Sequence, residues 1–147
     1  MNTGMQQVIL VRHANAEWPH YIGSDFDRPL TPQGLADAAS TAAAIREAGH
    51  RPGLLLTSAA RRTMQTARVI ARALNLPEQA VVPATELYNA GADVLDVELR
   101  KAFLSCDTVM LVAHNPGISE LARMLTGNPG FQAFRPAHWL HIARPAY

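Results

Sequence analysis

Three short apolar runs, each followed by a segment with helical periodicity, constrain the fold of this 147-residue chain most strongly. The runs are residues 8–11, 54–56 and 109–113, and further extended segments are expected near 81–82 and 139–142. Buried strands that alternate with helices are typical of layered α/β proteins with parallel strands. We therefore expect a single three-layer α/β domain over residues 1–147, with a mostly parallel central sheet flanked by helices.

Capping residues predict the boundaries of the first helix. Thr31 is suited to cap a helix whose first position is Pro32, since the ring of proline already has a helical φ. This helix is expected to end near Gly49, which can adopt the left-handed conformation common after a helix. Apolar residues with helical spacing predict another helix over residues 92–104.

Two more helices are expected directly after the second and the last of the three apolar runs. Ser58 is predicted to cap one of them, which would extend to residue 74. Asn115 is predicted to cap the other, with Pro116 at its first helical position and Gly127 at its end. Both helices would therefore begin at the same edge of the sheet.

Composition and charge exclude several classes of protein. The net charge of +1 gives no basis for binding nucleic acid or a membrane surface. No apolar run is long enough to span a bilayer, and the first residues do not resemble a secretory signal. Cys106 is the single cysteine and cannot form an internal disulfide, so we expect a cytoplasmic protein. Composition specifies no oligomeric state.

Basic and imidazole side chains follow the predicted strands at the points where these strands end. Arg12 and His13 follow the first strand, Arg61 and Arg62 lie just after the second, and His114 follows the strand at 109–113. The carboxyl ends of parallel strands meet at one edge of a sheet, where α/β proteins bind ligands. Forked guanidinium groups and helix N-termini favour an anion there, and a phosphoryl group suits them best.

The two strand-end histidines can have different roles in phosphoryl transfer. A nucleophilic histidine must be neutral, and nearby arginines disfavour its protonated form. A backbone carbonyl could accept the proton of one ring nitrogen and leave the other nitrogen bare. A second histidine can donate a hydrogen bond to the phosphoryl oxygens, where negative charge spreads in the transition state.

Five motifs, in order along nearly the whole chain, resemble those of the histidine phosphatase superfamily, which includes the phosphoglycerate mutases. The motifs are "LVRHANAEW", "DRPLTPQG", "TSAARRTMQTA", "ELYNA" and "VAHNPG". The chain is most similar to the small branch of phosphohistidine phosphatases named for SixA. The resemblance implies the fold expected above, a phosphatase activity, and no metal or other cofactor.

The resemblance also implies roles for individual residues. His13 corresponds to the nucleophile that becomes phosphorylated. The register of "SAARRTMQT" selects Arg62 over Arg61, because the family arginine precedes the glutamine by three positions. The residues expected to bind the phosphoryl group are Arg12, His13, Arg28, Arg62 and His114.

The proton donor is the remaining catalytic residue to assign. The longer mutases carry an inserted acidic segment that supplies it, and this chain is too short to contain that segment. Glu86 is the first candidate acid, and it could equally pair with an arginine of the pocket; Asp25, Asp27 and Glu17 are the alternatives. A phosphohistidine needs little help from an acid, because imidazole leaves with a conjugate-acid pKa of about 6.5.

These observations favour a protein phosphohistidine phosphatase as the function. Its partner would be a phosphorylated protein or a small phosphorylated substrate. The alternatives are a small-molecule phosphatase acting on sugar or nucleotide phosphates, and a phosphate-binding module without turnover. The remaining titratable residues are interpreted as surface or packing residues: His20, His50, His138, His141 and Cys106. Tyr88 either lines the mouth of the pocket or packs beside it.

Overall fold

A computed structural model describes residues 4–18 and 22–146, so His20 lies outside the described residues. The strands are β1 (Met5–Arg12), β2 (Leu54–Ser58), β3 (Val81–Ala84), β4 (Thr108–Ala113) and β5 (Trp139–Pro145). The helices are α1 (Pro32–Glu47), α2 (Arg61–Ala73), α3 (Ala92–Ala102) and α4 (Gly117–Thr126). Short 3-10 turns occur at Asp25–Asp27, Glu78–Ala80 and Thr85–Leu87. Within these ranges, no helix has the length and apolar character needed to cross a membrane.

The five strands form one sheet in the order β3-β2-β4-β1-β5. Strands β1 to β4 pair in parallel, and β5 pairs antiparallel with β1 at the edge of the sheet. The expected mostly parallel sheet is therefore confirmed. Because β2, β4 and β1 are direct neighbours, their carboxyl ends lie side by side.

Helices cover both faces of the sheet, as the expected three-layer fold requires. Alternate residues of a strand point to opposite faces. Val8 and Leu10 of β1 belong to a core that includes Leu95 of α3 and residues of α4. Ile9, between them, belongs to a second core that includes Ile45 of α1 and residues of α2. Both faces of β1 are buried, which explains its continuous apolar sequence.

Helix α1 begins and ends as predicted. The backbone N–H of Gly34 donates to the Thr31 hydroxyl at 2.9 Å, which makes Thr31 the cap, with Pro32 at the first helical position. Gly49 follows the helix with a φ of +83°. Helix α3 is two residues shorter than expected, and β5 extends to residue 145.

The predicted caps of the other two helices are wrong, because both side chains are used elsewhere. Helix α2 is preceded by Ala60, and the hydroxyl of Ser58 lies 2.8 Å from Nε2 of His114. Helix α4 begins at Gly117, one residue later than expected, and Pro116 precedes it. The amide nitrogen of Asn115 donates to the backbone carbonyl of Phe134 at 2.8 Å, which ties the 128–138 segment to the end of β4.

A close backbone approach explains the glycine of "TPQG". A Cβ added at Gly34 would lie 2.1 Å from the carbonyl oxygen of Asn15, in the loop after β1. That oxygen also accepts the backbone N–H of Thr31 at 3.0 Å. The missing side chain at position 34 therefore lets α1 pack directly against the loop that follows His13.

We expect Gly34→Ala to lower the free energy of unfolding by about 1–3 kcal/mol, because overpacking against a backbone group forces the helix or the loop to shift. Urea unfolding at pH 7 measures this change. Gly130→Ala is the matched control, since its Cβ would come no closer than 3.4 Å to the nearest group, the Asn128 side chain. Equal stability of the two variants would contradict the proposed contact.

Candidate active site

The predicted basic and imidazole side chains lie together at the carboxyl edge of the sheet. They line a cavity of about 430 Å³, to which β1, α2 and the loop after β4 contribute. All five expected phosphoryl-binding residues are among its lining: Arg12, His13, Arg28, Arg62 and His114. Three neighbouring strands thus deliver side chains that are distant in sequence to one cavity.

His13 lies just beyond the end of β1 and is buried. Its Nδ1 atom is 2.7 Å from the carbonyl oxygen of Ala14. Since a carbonyl only accepts, Nδ1 must carry the proton, which leaves Nε2 bare in the neutral ring. Burial lowers the pKa of His13 to about 4, and the charges of Arg62 and Arg12 add to this effect. At neutral pH the ring is therefore uncharged, with Nε2 free to act as the predicted nucleophile.

His114 lies beside His13, with 5.3 Å between the ring centroids. Burial, followed by the nearby His13, lowers the pKa of His114 to about 3, so this ring is also neutral. The Ser58 hydroxyl accepts the backbone N–H of Ala60 and can donate its own proton to Nε2 of His114. Because Nε2 of His114 then accepts a hydrogen bond, the proton of the neutral imidazole lies on Nδ1. Nδ1 is therefore a hydrogen-bond donor.

Three buried polar atoms of the cavity-lining side chains have no hydrogen-bond partner. They are Nε of Arg12, Nε of Arg62 and Nδ1 of His114. Buried donors are nearly always paired in proteins, so each of them calls for an explanation. An anion bound in the cavity beside His13 could accept hydrogen bonds from these donors.

Asp25 holds two of the arginines in place. Arg62, which is only 3% exposed, donates to the backbone carbonyl of Asp25 at 2.8 Å and to its carboxylate at 3.1 Å. Arg28 donates to the other carboxylate oxygen at 2.9 Å, and the Tyr88 hydroxyl donates to the same oxygen as Arg62. The Tyr88 hydrogen bond, then the two arginines, lower the pKa of Asp25 to about 2. Asp25 is therefore ionised at neutral pH.

The candidate acids differ in whether they line the cavity. Asp25 is the one carboxylate among the described residues that line the cavity. Glu86 is exposed, and its carboxylate accepts from the Thr85 hydroxyl at 3.3 Å. Asp27 is exposed and accepts from Ser24, while the Glu17 backbone carbonyl accepts from Arg28 at 3.0 Å. Arg61 is exposed, in contrast to the buried Arg62.

Sequence reasoning missed several groups that support the site. The Thr66 hydroxyl accepts the backbone N–H of Ala14, and so fixes the chain directly after His13. The carbonyl oxygen of Phe134 accepts from Nη1 of Arg12 at 2.9 Å. Trp18 lines the cavity, although nothing in the motif "RHANAEW" indicates a role for its indole. Ser58 was detectable as a polar strand end but was interpreted as a helix cap.

Tyr88 contacts the site through both its hydroxyl and its ring. The ring lies edge-on to His114, with 5.6 Å between centroids, and the Arg62 guanidinium lies 5.8 Å from its centroid. Tyr88 is not among the described residues that line the cavity, so it packs beside the cavity against His114 and Arg62. Its hydrogen bond to Asp25 makes it part of the network that holds Arg62.

Metal chemistry is not suggested by the grouping of side chains. Across residues 4–18 and 22–146, no three histidine, cysteine, aspartate or glutamate side chains gather closely enough to hold a metal ion. Independence from metals stays a prediction.

The two depressed histidine pKa values predict how stability depends on pH. In the unfolded chain both histidines titrate near 6.5, and in the folded chain near 4 and 3. Between these values the unfolded chain binds protons that the folded chain does not, so stability falls as the pH falls from 6.5 towards 4. Each histidine contributes a slope of up to about 1.4 kcal/mol per pH unit.

Urea unfolding at pH 7, 6 and 5 measures this slope. We expect His13→Asn to have a shallower pH dependence than the wild type, since asparagine does not titrate. His138→Asn, at an exposed position, is the matched control. A slope unchanged by His13→Asn would contradict the burial of a neutral imidazole at position 13.

Comparison with known proteins places these features in a family. The model of the histidine phosphatase superfamily (branch 1) matches residues 8–88. An uncharacterised chloroplastic protein of Arabidopsis thaliana is 34% identical over 130 residues, an alignment that covers 83% of this chain and 60% of the plant protein. The chain thus spans less than two thirds of that relative.

Solved structures agree with the family model. A protein assigned as the phosphohistidine phosphatase SixA of Agrobacterium tumefaciens superposes with a TM-score of 0.85 and 30% identity, covering 95% of this chain and 94% of that one. The protein histidine phosphatase SixA in complex with tungstate superposes with a TM-score of 0.80 and 23% identity, covering 92% and 86%. The chain belongs to branch 1 of the histidine phosphatase superfamily and has the fold of the small SixA-like proteins.

Proposed function

We propose that this protein is a metal-independent phosphatase that works through a phosphohistidine on His13, and that its substrate is a protein phosphohistidine. The observation that carries the proposal is the set of three unpaired buried donors, on Arg12, Arg62 and His114, around a histidine with a bare nitrogen. Three donors suit the three oxygens of a phosphoryl group. Membership of the superfamily supports the same chemistry.

In the first step, Nε2 of His13 attacks the phosphorus atom of the bound substrate. A P–N bond forms on His13, the bond to the leaving group breaks, and its electron pair stays on the leaving atom. The three donors stabilise the charge on the phosphoryl oxygens, and they are in position before the reaction begins. The carbonyl oxygen of Ala14 stabilises the positive charge that the ring of His13 acquires.

In the second step, water attacks the phosphorus atom of phosphorylated His13. The P–N bond breaks, its electron pair returns to Nε2, and inorganic phosphate forms. The proton lost by the water passes to phosphate or to solvent. His13 returns to its neutral state with the proton on Nδ1, ready for the next cycle.

The leaving group distinguishes substrate classes. Asp25 is ionised, so it is unable to donate a proton from the position that it occupies. Glu86 is exposed, and the described lining of the cavity does not include it. An alkoxide leaves poorly without an acid, whereas a phosphohistidine that is protonated on its other ring nitrogen releases neutral imidazole, a much weaker base. This arrangement favours cleavage of a P–N bond.

Steady-state kinetics on phosphohistidine, phenyl phosphate and phosphoserine test the proposal. We expect kcat/KM to decrease in that order, following the stability of the leaving group. Turnover of a phosphohistidine-containing protein would then identify the substrate class. Preference for phosphoserine, or for a sugar or nucleotide phosphate, would overturn the phosphohistidine assignment in favour of a small-molecule phosphatase.

We retain Glu86 as the proposed proton donor for alkyl phosphates, and Glu86→Gln tests it. P–N turnover should change little, whereas phosphoserine turnover should fall by about a hundredfold or more if Glu86 donates the proton. Asp25→Asn is the matched variant. It should slow all three substrates similarly, because it loosens Arg62 and Arg28. Equal loss across the three leaving groups in Glu86→Gln would remove Glu86 as the acid.

Chelation and oxyanions test the absence of a metal requirement. A SixA protein of the same fold has been solved in complex with tungstate. We propose that tungstate binds this cavity too and competes with substrate, while EDTA leaves activity unchanged. A strict requirement for magnesium or zinc would contradict the mechanism.

We also propose a cytoplasmic location, since the single cysteine forms no internal disulfide.

A further inference from the structure

The cavity is larger than a phosphoryl group requires. A phosphoryl group has four heavy atoms, and four water-sized atoms occupy roughly 120 Å³. The cavity measures about 430 Å³, so most of it is available to the rest of the substrate. The chemistry of that outer part therefore bears on which leaving groups the enzyme accepts.

The inner and outer parts of the cavity differ in character. His13, Arg62 and His114 are all less than a tenth exposed and define the inner, polar part. Trp18 also lines the cavity, and it is 72% exposed. A substrate whose phosphoryl group reaches His13 has room to extend outwards along the indole.

The segment that carries Trp18 is anchored. Ala16 forms an antiparallel bridge with Leu30, and the backbone N–H of Glu17 donates to the carbonyl of Pro29 at 2.9 Å. The Arg28 guanidinium donates to the carbonyl of Glu17 and lies 5.2 Å from the centroid of the indole. An exposed tryptophan is thus held at the mouth of the cavity by an arginine that Asp25 also fixes.

We propose that Trp18 forms a leaving-group subsite that takes a flat aromatic ring, such as the imidazole of a phosphohistidine; this inference rests on the proposed function. The guanidinium of Arg28 covers one face of the indole, and the other face can stack on a ring of the substrate. Stacking contributes binding energy without directional hydrogen bonds, so it selects for flatness rather than for one particular ring. Trp18 then favours phosphoimidazole substrates over aliphatic phosphoramidates.

Two P–N substrates with different leaving groups test this subsite: N-phosphoimidazole, which releases a ring, and phosphoramidate, which releases ammonia. We expect Trp18→Ala to raise KM for N-phosphoimidazole about tenfold, and to leave kcat/KM for phosphoramidate within about twofold. Trp18→Phe keeps a ring and should restore most of the preference. Leu104→Ala is the control, since Leu104 is 89% exposed and lies between α3 and the start of β4, outside the described lining of the cavity.

Two results with Trp18→Ala would overturn the subsite. An equal decrease in kcat/KM for both substrates would mean that the indole only supports Arg28. An unchanged kcat/KM for both would mean that the ring of the substrate does not reach Trp18. If the wild type cleaves neither P–N compound, the proposed function fails instead. Phenyl phosphate and glycerol phosphate then provide the same comparison of a ring with an aliphatic group, and decide the subsite separately.

Discussion

His13→Ala is expected to lower kcat for every phosphorylated substrate by about a thousandfold or more, because it removes the nitrogen atom that we propose accepts the phosphoryl group. Among the described residues that line the cavity, His114 carries the other imidazole, and Ser58 orients its ring to donate a hydrogen bond rather than to attack. Stopped assays at substrate concentrations well above KM measure this loss as kcat.

The fold should survive this substitution. His13 follows the end of β1, and its side chain faces the cavity rather than either hydrophobic core. Circular dichroism and urea unfolding at pH 7 should therefore resemble those of the wild type. Retention of most activity by a folded His13→Ala variant would exclude His13 as the nucleophile.

Arg62→Lys is expected to lower kcat/KM by about a hundredfold to a thousandfold, although it preserves the positive charge. An ammonium lacks the planar fork with which a guanidinium binds two groups at once. Arg62 uses both Nη atoms to hold Asp25, and its Nε remains for the phosphoryl group. Lysine cannot make these contacts together.

The adjacent arginine offers a matched control for this prediction. Arg61 is exposed and is not among the described residues that line the cavity. Arg61→Lys should change kcat/KM by less than about twofold on the same substrates. Equal effects at the two positions would mean that Arg62 contributes only charge, and that its geometry in the cavity does not matter.

The elements of the fold were largely predictable from the sequence, whereas their order in the sheet was not. Residues 8–11 and 109–113 are apolar because both faces of β1 and β4 are buried, and such runs are readily recognised. Nothing local specifies that β4 lies between β2 and β1, or that β5 runs antiparallel at the edge. These pairings depend on how the helices pack, which no short stretch of sequence encodes.

Polar side chains explain where the predicted details of the site diverge from the structure. Ser58 and Asn115 have the residue types of helix caps, and their positions after strands support that interpretation. Each instead bonds a group distant in sequence: Ser58 bonds His114, and Asn115 bonds the carbonyl of Phe134. Such tertiary hydrogen bonds override local preference, and they leave no periodic signal.

The sequence predicts that positive charges surround His13, but not how much they lower its pKa compared with burial. Arginines were expected to keep the imidazole neutral, and Arg62 and Arg12 do lower its pKa. Burial is nevertheless the larger cause, and the degree of burial depends on packing at the cavity edge. The hydrogen bond from Arg62 to the Asp25 carboxylate is not predictable from sequence spacing either, since the two residues are 37 positions apart. The same carboxylate also accepts from Arg28.

Trapping the phosphorylated enzyme tests whether His13 is the nucleophile. Wild-type protein mixed with a substrate labelled in its phosphoryl group should be quenched in alkali within milliseconds, because phosphohistidine is stable in base. We expect one labelled phosphoryl group per chain, located by mass spectrometry on His13, which forms and decays at rates compatible with turnover. Label on another residue, or turnover without any labelled enzyme, would contradict this role of His13.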